Sequence, residues 1–381
     1  MVPQHYAPTS GLPSSFSSLT GEPISPAQAQ IGPSSTRQTP SYGCKAVRKV
    51  LAHHELSEKA QELVHASWRK NTRSRYDSVV KKWEEFCVKR GEDPLFTSLG
   101  NVLNFLAERY EEGVGHSSVC TARSALNTLV TIEGGGDLST HPLVSRLVKG
   151  VFHLRPPMPR YSEVWDIGMV ITYVRGLGSN NTMPLKELTL KTVAILRILT
   201  SQRVSSVAYL SKQNTFFPPN KVIFVPVKLS KHHRQGKKIR KITLQSYPGD
   251  ARVCAVETVR AYIARRQYLC GEDQLLVTHR KPYRPASVDT VARWLKQVLK
   301  LAGVNPAVFG AHSYRGASTS AARQASIPIQ KILARGQWAS EHTWRSHYDL
   351  DIMGYPSSDE EDETTKQLLD AYATTQSQYS N

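Results

Sequence analysis

The chain has 381 residues, of which 49 are Lys or Arg and 31 are Asp or Glu, so its formal net charge at pH 7 is +18. This length allows two domains plus terminal segments, and the positive balance points to a polyanionic partner, most commonly nucleic acid. The five scattered cysteines form no C-x-x-C pair, which argues against zinc fingers and a disulfide framework. No apolar run approaches membrane-spanning length, so a membrane surface is the weaker alternative, and we expect an intracellular, nuclear protein.

The first part of the chain divides into a leader and a helical region. Residues 1–45 are rich in Pro, Ser, Thr, Gly and Gln, which predicts a disordered leader because few bulky apolar side chains offset the entropy of ordering. Residues 47–153 show helical periodicity and predict an all-α domain of four or five helices. The predicted helices are Leu56–Lys70, a helix capped by Asn71–Thr72 and stopped by Gly91, Leu99–Tyr110, Ser117–Ile132 and Pro142–Val151.

Basic side chains lie at the polar edges of these helices. The candidates for DNA contact are Arg69, Arg73, Arg75 and Arg123. For any one of them taken singly, a solvated helix face is the alternative interpretation.

A proline-rich basic connector at residues 154–160 predicts the domain boundary, because such stretches behave as semi-rigid spacers. The second domain spans 161–355, and a flexible tail with an acidic block occupies 356–381. In this domain Leu185–Leu199 is nearly apolar all round, which is typical of a buried helix, and Arg203 stands at the start of the next helix.

A basic β-hairpin follows. Its predicted strands are Lys221–Val227 and Ile239–Leu244, and the segment Lys228–Lys241 carries seven Lys or Arg and no acid. The elements predicted after it are a helix at Ala251–Cys270, a short strand at Leu275–Thr278 and a helix at Ser287–Leu301 that is capped by Ser287.

The segment Ala311–Leu350 concentrates the chemically informative residues. His312 and Arg315 open it, and it continues as two predicted helices, Ser313–Ala325 and Pro328–Arg335, of which the second is stopped by Gly336. Trp338 and Tyr348 follow.

These residue types suit phosphoryl transfer. An arginine offers a fork of donors for phosphate, a histidine moves a proton, and an indole N–H donates only. A tyrosine hydroxyl is a known covalent nucleophile, so the group predicts a tyrosyl intermediate that needs no metal. The alternative is a helix-turn-helix whose His, Trp and Tyr are half-buried core residues.

The order of these features carries a resemblance to a known family. The chain resembles the tyrosine recombinases, the family of lambda integrase and Cre, in the order of five features: Arg203, a basic hairpin, His312-x-x-Arg315, Trp338 and then Tyr348. Three sequence segments are similar to those of recombinases from DIRS-type and Ngaro-type retroelements: HSYRGASTSAA, GQWASEHTWRSHY and ASWRKNTRSRYDSVVKKWEEFC. The resemblance covers about Leu56 to Asp351.

The resemblance implies a fold and a set of roles. The fold is an all-α, SAM-like core-binding domain followed by a mainly helical α+β catalytic domain with a small β-hairpin or sheet. Arg203 and Arg315 would clamp the scissile phosphate, and His312 would support it and assist proton transfer. Trp338 would fill the place that the family gives to His or Trp. Tyr348 would attack phosphorus and leave a 3′-phosphotyrosine, with Tyr355 as the rival nucleophile.

In the family the general acid is a lysine on the hairpin. Lys231 is the first candidate and Lys228 the second, while the other basic residues of the hairpin would hold backbone phosphates; these are Arg234, Lys237 and Lys238. The chain departs from many family members at Ser206, where they carry an acidic residue three places after the first Arg. The acceptor that orients Arg203 or the lysine must then come from elsewhere.

The implied activity is site-specific DNA recombination or integration by a mobile element. It implies neither nucleotide nor metal, and no standard zinc spacing fits the histidines at 232, 233, 279, 342 and 347. Its partner is double-stranded DNA, on which four copies would join two duplexes as a homotetramer, while the free chain would be monomeric or weakly associated. In the family a C-terminal segment packs on a neighbouring copy, and Thr364–Ala373 could do so here.

Three alternatives remain open from the sequence. A type IB topoisomerase would share the chemistry but relax a single duplex. A recombinase-derived DNA-binding protein would have lost activity, against which the intact set of site residues argues. An unrelated helix-turn-helix regulator would leave Arg203 and the hairpin unexplained.

Overall fold

The computed structural model describes residues 56–132, 136–227, 240–269 and 271–354. The predicted leader, the hairpin residues 228–239, Tyr355 and the tail lie outside the described residues. The chain divides into two compact units, residues 1–157 and residues 158–381. Within the described ranges, no helix has both the length and the apolar character needed to cross a bilayer.

The first unit is helical. Its described elements are α1 (Glu58–Ala66), α2 (Lys70–Arg90), α3 (Leu99–Glu111), α4 (His116–Leu126) and α5 (Pro142–Leu154), with the short strands β1 (Phe96–Thr97) and β2 (Thr131–Ile132) paired in parallel. Helices α3 and α5 begin where polar caps accept backbone N–H groups, Ser98 from Asn101 and His141 from Leu143.

An aromatic cluster forms the core of this unit. Trp83 stacks on Phe86 and meets Phe105 edge-on, with ring centroids 5.4 and 5.2 Å apart. The indole N–H of Trp83 donates to the carbonyl of Pro94 at 2.8 Å, so the buried ring leaves no donor unpaired. Such packing stabilises the unit by roughly 2–3 kcal/mol for each fully buried large side chain.

Three predicted helix boundaries in this unit are wrong. The helix predicted at Leu56–Lys70 spans Glu58–Ala66, and Lys70 is the first residue of α2. Asn71 and Thr72 lie inside α2, which begins at Lys70 after Arg69, while its predicted end at Gly91 is confirmed by a left-handed φ of 67°. Helix α4 ends at Leu126 rather than Ile132, because the β-branched residues Thr131 and Ile132 pair with β1 instead.

The second unit holds the remaining elements. They are β3 (Glu163–Val164), α6 (Ile167–Gly176), α7 (Leu185–Thr200), α8 (Val204–Ala208), β4 (Thr215–Phe216), β5 (Lys221–Phe224), β6 (Ile242–Gln245), α9 (Ala255–Arg266), α10 (Val288–Leu301), α11 (Ser313–Gln324), α12 (Ile329–Gly336), α13 (Glu341–Tyr348) and β7 (Asp351–Ile352).

Helix α7 is the centre of this unit. It contacts α6, α8, α9, α10 and α11, which explains why its sequence is apolar on nearly every side. Two cations are nevertheless buried in it. Lys191 donates to the carbonyl of Gly178 at 3.0 Å, and burial lowers the pKa of its ammonium to about 8. The second, Arg197, lies next to the candidate site.

The predicted hairpin is present but its strands are shorter. Strands β4, β5 and β6 form an antiparallel sheet in that order, with Phe224 opposite Ile242. Strand β5 stops two residues before Pro226, which has no N–H to donate to a ladder. The predicted Ile239–Leu244 strand overlaps β6, which runs from Ile242 to Gln245, and Ile239 lies outside the described residues.

Two further predictions need correction, and one helix lies where none was predicted. The helix predicted at Ala251–Cys270 spans only Ala255–Arg266, because residues 251–253 form a turn. The strand predicted at Leu275–Thr278 is reduced to isolated bridges, Ser211 to Gln274 and Val277 to Pro285. Helix α6 was not predicted.

The last described strand pairs with the first strand of this unit. Strand β7 pairs in parallel with β3, with Val164 opposite Ile352, and the Met353 N–H donates to the carbonyl of Val164 at 2.8 Å. Residues 349–353 are thereby fixed on the same unit that carries α11 and α13.

Candidate active site

The turn after α7 links several elements of the site. Ser201 adopts a left-handed conformation with φ 50°, an unfavourable one for a non-glycine residue, and it is buried. Its hydroxyl lies 2.8 Å from that of Ser318, and its carbonyl accepts a hydrogen bond from Arg315. The Gln202 amide donates to the carbonyl of Arg335 at 2.5 Å. These contacts fix the backbone that leads to Arg203, the first residue before α8.

Arg315 is fully buried on α11. Its Nη1 donates to the carbonyl of Ser201 and its Nη2 to that of Gly336, both at 2.8 Å. The guanidinium lies 3.6 Å from the ring centre of Trp338 and 5.1 Å from that of Tyr348. Burial lowers the pKa of Arg315 to about 10 against the effect of Tyr348, so the side chain stays charged at neutral pH. Two anchored N–H groups hold the remaining donors of the fork in a fixed plane.

Trp338 reaches this position because residue 336 is glycine. A Cβ at Gly336 would lie 1.6 Å from the indole ring, so no side chain fits there. The prediction that Gly336 stops the helix is wrong in detail. Gly336 is the last residue of α12, and Gln337 takes the left-handed conformation that ends it. Gly336 therefore leaves the space that the Trp338 ring occupies. The face of that ring covers the guanidinium of Arg315.

Tyr348 is the last residue of α13. The helix is capped by Ser340, whose hydroxyl accepts the N–H of Thr343, and Trp344 on the preceding turn is completely buried. The carbonyl of Tyr348 accepts from the Ser320 hydroxyl at 3.1 Å, and the same hydroxyl accepts the N–H of Leu350 at 3.0 Å. One buried serine thus fixes the backbone on both sides of Asp349.

His312 completes the cluster from the start of α11. Its Nε2 lies 3.2 Å from the hydroxyl oxygen of Tyr348, and the two ring centres are 5.6 Å apart. Part of the ring remains open to solvent. Burial of the rest, together with the charges of Arg197, Arg315 and Arg203, lowers the pKa of His312 to about 4. The ring is therefore neutral at pH 7, and one nitrogen is free to accept a proton.

The structure brings His312, Arg315, Trp338 and Tyr348 into contact, and Arg203 lies near enough for its charge to act on His312 and Arg315. The roles that the sequence assigns to them stay predictions. The general-acid candidates Lys231 and Lys228, and the phosphate contacts Arg234, Lys237 and Lys238, lie outside the described residues.

The other predicted DNA contacts lie in the first unit. Arg69 precedes α2 and is exposed, as is Arg75 within that helix. Arg73 is half-buried and donates one N–H to the carbonyl of Trp68 at 3.4 Å. Arg123, also half-buried, lies in the last turn of α4. Their contact with DNA stays a prediction.

Sequence reasoning missed Arg197. It lies on α7, is 0% exposed and donates its Nη2 to the carbonyl of Ala311 at 3.0 Å. The available signal was a cation inside the apolar run Val193–Leu199, since a buried charge needs partners. In the ranges that the structure describes, no group of three His, Cys, Asp or Glu residues could hold a metal ion.

No model of a known protein family and no curated protein sequence matches the chain. Solved structures do. The Tn1549 transposon integrase in complex with transposon right end DNA is 10% identical, with a TM-score of 0.54 over 86% of this chain and 99% of that one. The XerH site-specific recombinase, in a post-cleavage complex with a palindromic difH substrate, is 14% identical, with a TM-score of 0.51 over 80% and 86%.

At these identities the likeness establishes the fold. The mainly helical second unit with its small sheet has the fold of the tyrosine-recombinase catalytic domain, so the predicted fold class is confirmed.

Proposed function

We propose that this protein is a site-specific DNA recombinase or integrase that breaks and rejoins DNA strands through a 3′-phosphotyrosine. The observation that carries the proposal is the pairing of His312 Nε2 with the Tyr348 hydroxyl at 3.2 Å, directly beside the buried charge of Arg315. A nucleophile, an acceptor for its proton and a cation for the developing negative charge are the three parts that such a transfer needs.

The reaction can be written on these residues. The hydroxyl proton of Tyr348 passes to Nε2 of His312 as the phenolic oxygen bonds to phosphorus. The bond from phosphorus to the 5′-oxygen breaks, and Lys231 gives that oxygen its proton. Arg203 and Arg315 hold the non-bridging oxygens, whose charge grows in the transition state. Attack by the freed 5′-hydroxyl on the phosphotyrosine reverses the step and restores the strand.

The finer parts of the proposal rest on the family resemblance and on charge. We infer a mobile element of the DIRS type as the source, the nucleus as the site of action, and a homotetramer on two duplexes as the working assembly. The net charge of +18 supports DNA as the partner. The related structures of the Tn1549 integrase and XerH are complexes with DNA, which supports the same partner here.

The test is covalent trapping on a library of nicked duplexes whose sequence around the nick is randomised. Cleavage next to the nick releases a short DNA fragment that carries the 5′-hydroxyl needed for rejoining. When that fragment diffuses away, the strand cannot be rejoined, so wild type should accumulate an SDS-resistant protein–DNA complex. Tyr348→Phe removes one oxygen and almost no volume, so the variant should bind DNA equally well and form no complex. Arg345→Lys is the control on the same helix, because it keeps the positive charge that the exposed Arg345 side chain places beside Glu341 and Asp349. It should trap DNA as wild type does.

A recombinase-derived protein without activity is the second candidate, and the same assay separates it. Such a protein would bind the library but yield no complex with wild type. Relaxation of a supercoiled plasmid without exchange between two duplexes would instead point to a topoisomerase.

A further inference from the structure

A third arginine stands behind the candidate site. Arg197 lies on α7 with no exposed surface, and its Nη2 donates to the carbonyl of Ala311, the residue before His312, at 3.0 Å. Its Nε and Nη1 are buried without a hydrogen-bond partner among the described residues. A buried cation with one hydrogen bond costs several kcal/mol of desolvation, so fold stability alone does not account for it.

The carbonyl that Arg197 holds belongs to the turn that sets the direction of the imidazole. Residue 312 is the last before α11, with φ −75°, and its neighbour Ser313 is fixed by the indole N–H of Trp165, which donates to its hydroxyl at 2.8 Å. Arg197 fixes the other neighbour, Ala311. Both sides of His312 are therefore held from the core, and the ring faces Tyr348.

We propose that Arg197 is a positioning residue for His312, whose buried guanidinium holds the Ala311 carbonyl and thereby keeps the imidazole nitrogen Nε2 against the Tyr348 hydroxyl. The inference deepens the proposed function and rests on it. Nothing in the Arg–His–Arg–Tyr pattern of the sequence assigns a role to this residue.

The charge of Arg197 has a second effect. The groups that face His312 among the described residues are Arg197 on α7, Arg203 at the start of α8, Arg315 on α11 and Tyr348 on α13. Three are cations, and they oppose a fourth positive charge on the imidazole. Burial lowers the pKa of Arg197 to about 9, so it keeps its charge at neutral pH.

The consequence concerns the proton of the tyrosine. In the tautomer that carries hydrogen on Nδ1, the Nε2 lone pair can take the proton from the Tyr348 oxygen, so the O–H bond breaks and an N–H bond forms. Protonated His312 could not do this. Arg197 therefore keeps the ring both in place and neutral.

The direct test is the titration of His312 in the full chain without DNA, followed by NMR of ¹³C-labelled histidine rings and assigned with His312→Asn. Wild type should titrate near pH 4. Arg197→Met, which keeps most of the volume, removes one cation and should raise the midpoint by roughly one pH unit. Arg197→Lys keeps the charge and should leave the midpoint near its wild-type value. Arg266→Met removes another fully buried arginine, on α9, and should not move it either.

The functional arm measures the pH dependence of covalent trapping. Because protonated His312 cannot accept the phenolic proton, trapping falls as pH drops through the His312 pKa. In Arg197→Met this fall in trapping should begin at a higher pH, and the maximum yield of trapped complex at neutral pH should be lower. Arg197→Lys should recover part of that yield, and its fall in trapping should begin at the wild-type pH.

Two results would overturn the inference. One is a wild-type His312 midpoint at its ordinary value near 6.5, which needs no variant to fold. The other is a folded Arg197→Met whose midpoint and fall in trapping with pH match wild type. Because the titration uses no DNA, a wild type that titrates near pH 4 but traps nothing counts against the proposed function alone.

Discussion

At the scale of single residues, the site depends on how Arg315 is held. Its guanidinium donates one N–H to the carbonyl of Ser201 and one to that of Gly336, while the ring of Trp338 covers its face. Lysine has neither the second donor in the same plane nor a flat face to stack, so the arginine cannot be replaced conservatively. Position 336 is equally restricted, because it supplies both a carbonyl and the space for the indole.

Gly336→Ala tests this packing. The added methyl group would overlap the ring of Trp338, which cannot move away without leaving Arg315. We expect a loss of about 1–3 kcal/mol in the free energy of unfolding, measured by denaturant titration, and weaker covalent trapping on the nicked duplexes. Gly176→Ala is the matched control, since it also ends a helix but has no atom within 4 Å of the new methyl group. Equal stability of the two variants would contradict the packing argument.

Residue types and their order were sufficient to predict most of the cluster. His312, Arg315, Trp338 and Tyr348 were singled out from the sequence, and the structure brings them into contact. The place of Arg197 beside the cluster was not predicted. Its partner, the Ala311 carbonyl, is a backbone group 114 residues away, and no side-chain pattern indicates a backbone acceptor at that distance.

At the scale of elements, the placement of Tyr348 depends on how α13 and β7 are attached. The buried Ser320 of α11 donates to the Tyr348 carbonyl and accepts the N–H of Leu350. Arg323 on the same helix forms ion pairs with Asp349 and Asp351. Together with the β3–β7 pairing, these contacts hold Tyr348 against its own chain.

Ser320→Ala should loosen this attachment. The Leu350 N–H loses its acceptor, while the Tyr348 carbonyl keeps the longer hydrogen bond from Thr319 at 3.4 Å, and the loss costs about 1–3 kcal/mol. We expect faster amide hydrogen exchange across residues 349–353 and slower trapping, with the rest of the second unit unchanged. Ser124→Ala is the control, because that hydroxyl donates to the carbonyl of Cys120 within its own helix at 2.9 Å. Unchanged exchange at 349–353 would show that other contacts suffice.

Sequence periodicity predicted the long helices well and short elements poorly. Helices α2, α3, α7 and α10 have strong apolar stripes or runs, and their predicted cores agree with the structure. Helix α6 was missed because it begins and ends near glycine and is rich in β-branched residues, so its packing against α7 and α11, not its propensity, decides its conformation. The strands β1, β2, β3, β4 and β7 have two residues each, too few for any period to appear.

At the scale of the whole molecule, the net charge of +18 is the feature that bears most on the proposed binding of DNA. Of the predicted contacts, Arg69 and Arg75 are exposed in the first unit. The boundary predicted at 154–160 stays a prediction. Around it, Arg155 donates to the carbonyls of Tyr110 and Val114, while Arg160 donates to that of Ala307.

Binding of double-stranded DNA should weaken steeply with salt. Counterion release predicts an affinity loss of roughly 10³-fold or more between about 50 and 200 mM salt if several phosphates are contacted. Arg75→Ala should reduce the slope of log affinity against log salt by about one. Arg345→Ala, which removes an exposed but ion-paired arginine, should leave it unchanged. A slope near zero for wild type, measured by fluorescence anisotropy, would contradict a phosphate-based interface.

The most direct measurement of the central claim is the identity of the residue bound to DNA. The trapped complex is digested with nuclease and trypsin, and the remaining nucleotide is located by tandem mass spectrometry. The expected tryptic peptide runs from Ser346 to Lys366 and holds both Tyr348 and Tyr355, so fragment ions between the two tyrosines decide the assignment. A nucleotide attached through its 3′-phosphate to Tyr348 is the predicted result. Attachment at Tyr355 or at any other residue, or a 5′-phosphate linkage, would contradict the account.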